Sequence, residues 1–171
     1  MGCGQRSPRV IELVPQGSSV ELRLDEPEAA LLRQLVDELR AVLSDSSLED
    51  AVRRRLFPDA YEEAEDARAF RELVQGELTA TKLAALDRMA SALGSDGDID
   101  ALLEREDVAA WLTGLTDMRL AIGTRLGVDE ETMSRDPDVS EETFALSILH
   151  WLGWLQELLV REELKHDDAA S

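Results

Sequence analysis

Residues 111–128 read WLTGLTDMRLAIGTRLGV, and the fold turns on how that stretch is taken. Trp111, Leu112, Leu115, Met118, Ile122 and Leu126 recur at helical spacing, with Val108 one turn upstream, so one long helix with a single apolar face is predicted. Gly127 follows the last apolar residue, where helices readily stop in the left-handed conformation. The end of the stretch also imitates a DNA-binding helix-turn-helix. In IGTRLGVDEETMSR, Gly123 takes the small position, Gly127 the turn, and residues 129–135 the recognition helix. That helix would open on Asp129, Glu130 and Glu131, where phosphate contacts should begin, and Asp136 and Pro137 would end it. Two bundle helices joined by a glycine loop explain the same letters, and the electrostatics favour that reading.

Upstream, residues 10–14 (VIELV) and 20–24 (VELRL) alternate apolar and polar side chains around the turn formers PQGSS, a hairpin signal. Asp25 is placed to cap a helix, with Pro27 in its first turn and Glu28 three residues on, as in a capping box. Leu31, Leu32, Leu35, Val36, Leu39, Val42 and Leu43 give that helix its stripe. Ser47 opens a short helix through Leu56, which Pro58 ends. The acidic residues Glu62, Glu63, Glu65 and Asp66 suit the first turn of a helix running to about Leu93, with Phe70, Leu73, Val74, Leu78, Leu83, Leu86 and Met89 inward and Gly94 as its stop. A loop is expected around residues 96–100. Ser140 caps a last helix with Phe144, Ile148, Trp151, Leu152, Leu155, Leu158 and Leu159 inward, and the chain frays from Lys165. The predicted fold is mainly α. It is a single domain over residues 1–164, a β-hairpin at 10–24 followed by a bundle of about five helices at 26–164, with a frayed tail at 165–171.

The 171 residues are long enough for a real core, and 44% hydrophobic with 32% charged residues is not a disordered composition. A formal net charge of −19 repels phosphate backbones and anionic membrane surfaces, so DNA is disfavoured as a direct ligand and a basic protein face is favoured. Such a surface also simply keeps a protein soluble. Cys3 is the single cysteine, so no disulfide can close within the chain, which fits a reducing cytoplasm. No apolar run of membrane-spanning length stands out, and no signal core precedes residue 20.

Few residues suggest chemistry. Asp96, Asp98, Asp100 and Asp107 take the first, third, fifth and twelfth places of a calcium loop, but Ala101 stands where the turn glycine is required. Spaced aspartates equally suit a solvated loop that caps the next helix. His150 and His166 lack partners at metal or triad spacing, so neither a catalytic site nor a cofactor is expected, and His150 reads as a satisfied bundle residue. Arg119 borders the apolar stripe and calls for an acidic partner or solvent. Arg125 is a candidate contact residue in the helix-turn-helix reading. Trp151 and Trp154, three apart on one helix, suit core packing or an exposed partner patch.

The stretches EAALLRQLVDELRAVL, RRRLFPDAY, FRELVQGELTATKLAAL, WLTGLTDMRLAIGTRLGV and LHWLGWLQELLV occur in an order and spacing that resemble an actinobacterial family of oxidative-stress transcriptional regulators (AosR-like), long catalogued as a domain of unknown function. The resemblance spans most of residues 28–160. It implies a cytoplasmic regulator that responds to oxidants, works with an alternative sigma factor and is linked to cysteine and thiol supply. The reading that follows is a non-enzymatic protein acting by contact with a sigma factor or RNA polymerase, with self-association left open. The resemblance carries over no catalytic residues. A thiol switch within one chain needs two cysteines. Cys3 alone would have to form a mixed disulfide or bridge two chains.

Overall fold

The chain alternates short strands with long helices: β1 (Glu12–Gln16), β2 (Ser19–Leu24), α1 (Glu26–Ser44), α2 (Ala51–Leu56), α3 (Asp66–Leu93), β3 (Ile99–Leu103), α4 (Arg105–Leu126) and α5 (Glu141–Ala169). This is a computed structural model, and it describes residues 12–16, 19–45, 51–57, 66–126 and 141–169. The fold is mainly helical with the expected N-terminal hairpin. The bundle of about five helices is better stated as four long helices plus α2, which spans only 6 residues.

β1 and β2 pair antiparallel, with Gln16 opposite Ser19, so the connection is shorter than the five turn formers suggested. Pro15 lies in β1 opposite Val20. β1 is an edge strand, where a residue without an N–H is tolerated. The alternation of VELRL holds: Val20, Leu22 and Leu24 are buried, while Arg23 pairs with Glu21 and Asp100 on the other face.

The loop expected at residues 96–100 is in part a third strand. β3 pairs antiparallel with β2, giving a sheet of order β1-β2-β3 with Leu22 opposite Ala101. IDALL carries little β propensity, and its strand form comes from tertiary placement. Ile99 and Leu103 are buried in the common core while Asp100 and Leu102 face solvent.

Asp25 and Glu28 form both bonds of the capping box: Glu28 N–H donates to Asp25 Oδ1 at 3.0 Å, and Asp25 N–H donates to Glu28 Oε2 at 3.1 Å. Partial burial, reinforced by the neighbouring Asp25 carboxylate, holds the Glu28 carboxyl above its ordinary range. Asp98 Oδ1 accepts from Glu26 N–H at 3.0 Å, so the loop before β3 also satisfies the start of α1.

Gly94, at φ 59, stops α3 as expected, and its N–H bonds to Ala90 O at 3.1 Å. The carbonyls at this end are taken by Arg33 of α1. Its Nη2 donates to Leu93 O at 2.7 Å and Gly97 O at 2.9 Å, and its Nε donates to Leu93 O and Gly94 O at 3.1 Å. A cation here also complements the helix dipole. Arg33→Ala should therefore lower stability by about 2 kcal/mol, read as a lower urea midpoint with an unchanged slope.

α4 touches every other helix and β3, which makes it the axis of the fold. Val108, Trp111, Leu115, Met118 and Ala121 are buried along it. Gly114 permits the closest approach to α3, since a Cβ there would lie 2.2 Å from Met89 Sδ. Lys82 of α3 and Asp117 of α4 form a shielded ion pair at 2.6 and 2.8 Å. Exposed pairs also tie the helices: Arg40 to Asp87 at 2.7 Å, Arg88 to Glu106 at 2.7 Å, and Arg125 to Glu38 at 3.2 Å. Each exposed pair contributes about 0–1 kcal/mol, less than one buried leucine, so the apolar core sets the stability.

Two helices depart from expectation. In α3, Leu73, Val74 and Leu78 are 61%, 43% and 39% exposed instead of inward. The 28 residues of α3 span about 42 Å, and Leu83, Leu86, Met89 and Leu93 in its second half pack into or against the core. α5 continues as helix to Ala169, past the expected fraying point at Lys165. Thr143–Glu163 within α5 is also long and apolar enough, by length and composition, to cross a membrane, contrary to the sequence expectation. Leu149, Leu152, Leu155 and Leu159 of that stretch face the core, where an amphipathic helix of a folded domain places them.

Candidate functional site

Thr116, Arg119, Leu120, Gly123 and Thr124 follow one another at helical spacing on a face of α4 outside its core stripe. With Arg55 of α2 and Leu149 of α5 they line a solvent-open cleft of about 580 Å³. Among the seven described lining residues two are arginines and none is acidic, in a chain with 37 acidic and 18 basic side chains.

Arg119 is held in place from one side. Its Nη1 donates to Gln156 Oε1 at 2.8 Å, Gln156 Nε2 donates to Thr116 Oγ1 at 2.8 Å, and Thr116 Oγ1 donates to Leu112 O at 2.7 Å. Gly153 of α5 makes room for the guanidinium, since a Cβ there would sit 3.4 Å from Arg119 Cζ. Of the acidic partner or solvent expected for Arg119, it has the solvent-open cleft and, in place of an acid, the neutral amide of Gln156. Arg119 Nε is buried without any partner among the described residues. An orphaned donor on a fixed cation is unusual, because leaving it unpaired costs free energy.

Gly123 adds an observation of a different kind. A glycine inside a helix costs about 1 kcal/mol relative to alanine. Gly114 and Gly153 have close neighbours that explain them, whereas a Cβ at Gly123, as at Gly76 in α3, would meet nothing within 4 Å among the described residues. Its absent side chain leaves the cleft open. The small residue that mimicked helix-turn-helix lettering lies inside α4 and lines this cavity.

The other sequence candidates do not converge on one site. Arg125 is paired with Glu38. Residues 127–135 of the helix-turn-helix reading and Cys3 lie outside the described residues. Trp151 packs partly buried against the core, Trp154 is 41% exposed, and His150 is exposed instead of enclosed in the bundle. Of the calcium-loop aspartates, Asp98 caps α1, Asp100 lies on β3 near Arg23 at 3.4 Å, and Asp107 accepts from Glu104 N–H at 3.1 Å and pairs with Arg88. Asp96 is exposed in the bend. Their spacing reflects separate capping and pairing duties, and no group of three or more His, Cys, Asp or Glu among the described residues is placed to hold a metal. Sequence reasoning singled out Arg119 but missed Arg55, Thr116, Thr124 and Gln156. The second polar stripe on α4 was the available signal.

Comparison with known families settles the lineage. The family described as "Domain of unknown function (DUF2017)" matches residues 9–162. The chain belongs to the DUF2017 family. Its matched segment runs from the hairpin to the far part of α5, so all eight elements of the fold fall within or overlap the DUF2017 region. The chain is similar to a Mycobacterium leprae (strain TN) protein with the provisional name oxidative stress regulator AosR, at 31% identity over 127 residues. That alignment covers 66% of this chain and 58% of the relative, so the match spans less than two thirds of the relative's own length. No solved structure matches this DUF2017 chain.

Proposed function

We propose that this chain is a non-enzymatic regulatory protein of the cytoplasm. It acts by protein–protein contact in an oxidative-stress response, with a sigma factor or RNA polymerase as partner. The observation that carries the reading is the 31% identity to a protein named for oxidative-stress regulation. Two properties of the chain support contact as the mode of action. Its net charge of −19 favours a basic partner face. Leu73, Val74 and Leu78 on α3, with Phe144 and Trp154 on α5, present apolar side chains to solvent, as contact surfaces do.

The test is a tagged pull-down of the full chain from an actinobacterial lysate, with and without oxidant, read by mass spectrometry. A sigma factor or RNA polymerase should be recovered, and the yield should fall severalfold in a Leu73→Ser/Leu78→Ser variant. Oxidant dependence that disappears in Cys3→Ser would assign the response to that thiol. Recovery of metabolic or proteolytic partners alone would overturn the transcriptional reading. So would a DNA mobility shift at low salt that fades steeply with added salt and needs Arg125 and Arg135, because it would establish direct DNA binding.

A further inference from the structure

We propose that the α2–α4–α5 cleft binds a small organic monocarboxylate, with Arg119 as its anchoring cation and Arg55 as a second. The inference does not depend on the regulatory reading. A planar guanidinium with free donors is matched to a carboxylate, which it can grip through two parallel hydrogen bonds. Arg119 offers that arrangement through its Nη edge. Nη1 is fixed by Gln156, the Nε side is closed off against Gly153, and Nη2 has no hydrogen-bond partner among the described residues. Arg55 is exposed at the cleft and has no hydrogen-bond or ion-pair partner among the described residues.

The rest of the lining selects the body of the ligand. Leu120 and Leu149 supply apolar surface, and Thr124 and Thr116 present hydroxyl groups beside them. Thr124 Oγ1 already donates to Leu120 O at 2.7 Å, and Thr116 is occupied by Gln156 and Leu112, so the hydroxyls are better placed as acceptors than as anion donors. Recognition of charge therefore falls to the guanidinium groups. A volume of about 580 Å³ is ample for a short aliphatic acid. The net charge of −19 penalises a dianion more than a monoanion, which favours a single carboxylate over a phosphate monoester. The open space in front of Gly123 is where the aliphatic part would lie.

The experiment uses the full ¹⁵N-labelled chain titrated with sodium butyrate, butyramide and inorganic phosphate at constant ionic strength. The readouts are the Arg119 Nε–Hε resonance and the amides of Gly123 and Thr124. Butyrate should shift all three saturably, with a Kd of roughly 1–10 mM as expected for one solvent-open guanidinium pair. Butyramide should leave them unmoved. Arg119→Gln should weaken binding about tenfold, read at the two amides, and Arg55→Gln should weaken it severalfold. Gly123→Leu, whose Cβ enters open space at the cleft, should abolish butyrate binding while the amide spectrum stays that of a folded chain. Shifts that do not saturate, that butyramide reproduces, or that persist in Gly123→Leu would overturn the proposal. A stronger and saturable response to phosphate would overturn the carboxylate assignment.

Discussion

Asp117→Ala is expected to destabilise the protein by about 3–5 kcal/mol, the range found when one partner of a buried ion pair is removed. Asp117 is 4% exposed, and both its oxygens accept from Lys82 Nζ, at 2.6 and 2.8 Å. The Lys82 side chain is itself only 12% exposed, so without Asp117 its ammonium would have to stay poorly solvated or drag α3 away from α4. For a domain of this size the loss corresponds to a fall of roughly 6–20 °C in Tm. The pair itself is not the source of the stability. Replacing both members, as Lys82→Met/Asp117→Leu, removes the desolvation cost along with the attraction, and should recover most of the loss. Urea unfolding of the two single variants and the double variant forms a mutant cycle that decides the point. If Asp117→Ala costs less than about 1 kcal/mol, the pair is effectively solvated and the assignment of a shielded bridge is wrong.

Trp111→Ala should be as damaging, at about 3–5 kcal/mol, for a different reason. Trp111 is fully buried on the helix that touches all the others, so truncation leaves a cavity lined from several sides that cannot collapse locally. The indole is not ideally accommodated, however: its Nε1 is buried without a hydrogen-bond partner among the described residues. Trp111→Phe keeps a large apolar ring and removes that orphaned donor, so the smaller cavity term and the relieved polar term should nearly cancel, within about 1 kcal/mol of the parent. Chemical denaturation followed by far-ultraviolet circular dichroism separates the two variants. A Phe variant as unstable as the Ala variant would show that Nε1 is satisfied after all.

Local rules were legible in the sequence, and long-range ones were not. The capping box at Asp25 and Glu28 needs only three residues of context, and it formed with both bonds. The stripe of residues 111–126 was legible because α4 buries it on many sides. The same periodicity misled in α3, since spacing gives Leu73, Val74 and Leu78 a common face but cannot supply an element to cover it. β3 was illegible because Asp, Ala and Leu favour other conformations and only β2 makes a strand of them. Arg119 was placed correctly at the border of the stripe, but its partner proved to be Gln156, 37 residues away and neutral. The Lys82–Asp117 pair spans 35 residues and left no pattern to find.

The sheet also sets a timetable for making the protein. β2 is its central strand, and it cannot gain its second neighbour until Leu103 has been synthesised and brought back to Val20. At ordinary rates of translation that residue follows Leu24 by roughly 4–16 s. Throughout that interval one edge of β2 stands open on the nascent chain, with the apolar side chains of Val20, Leu22 and Leu24 still lacking their final cover. Closing it joins the N-terminal hairpin to the middle of the chain, so the last β pairing to form is the one that ties β2 to the strand leading into α4.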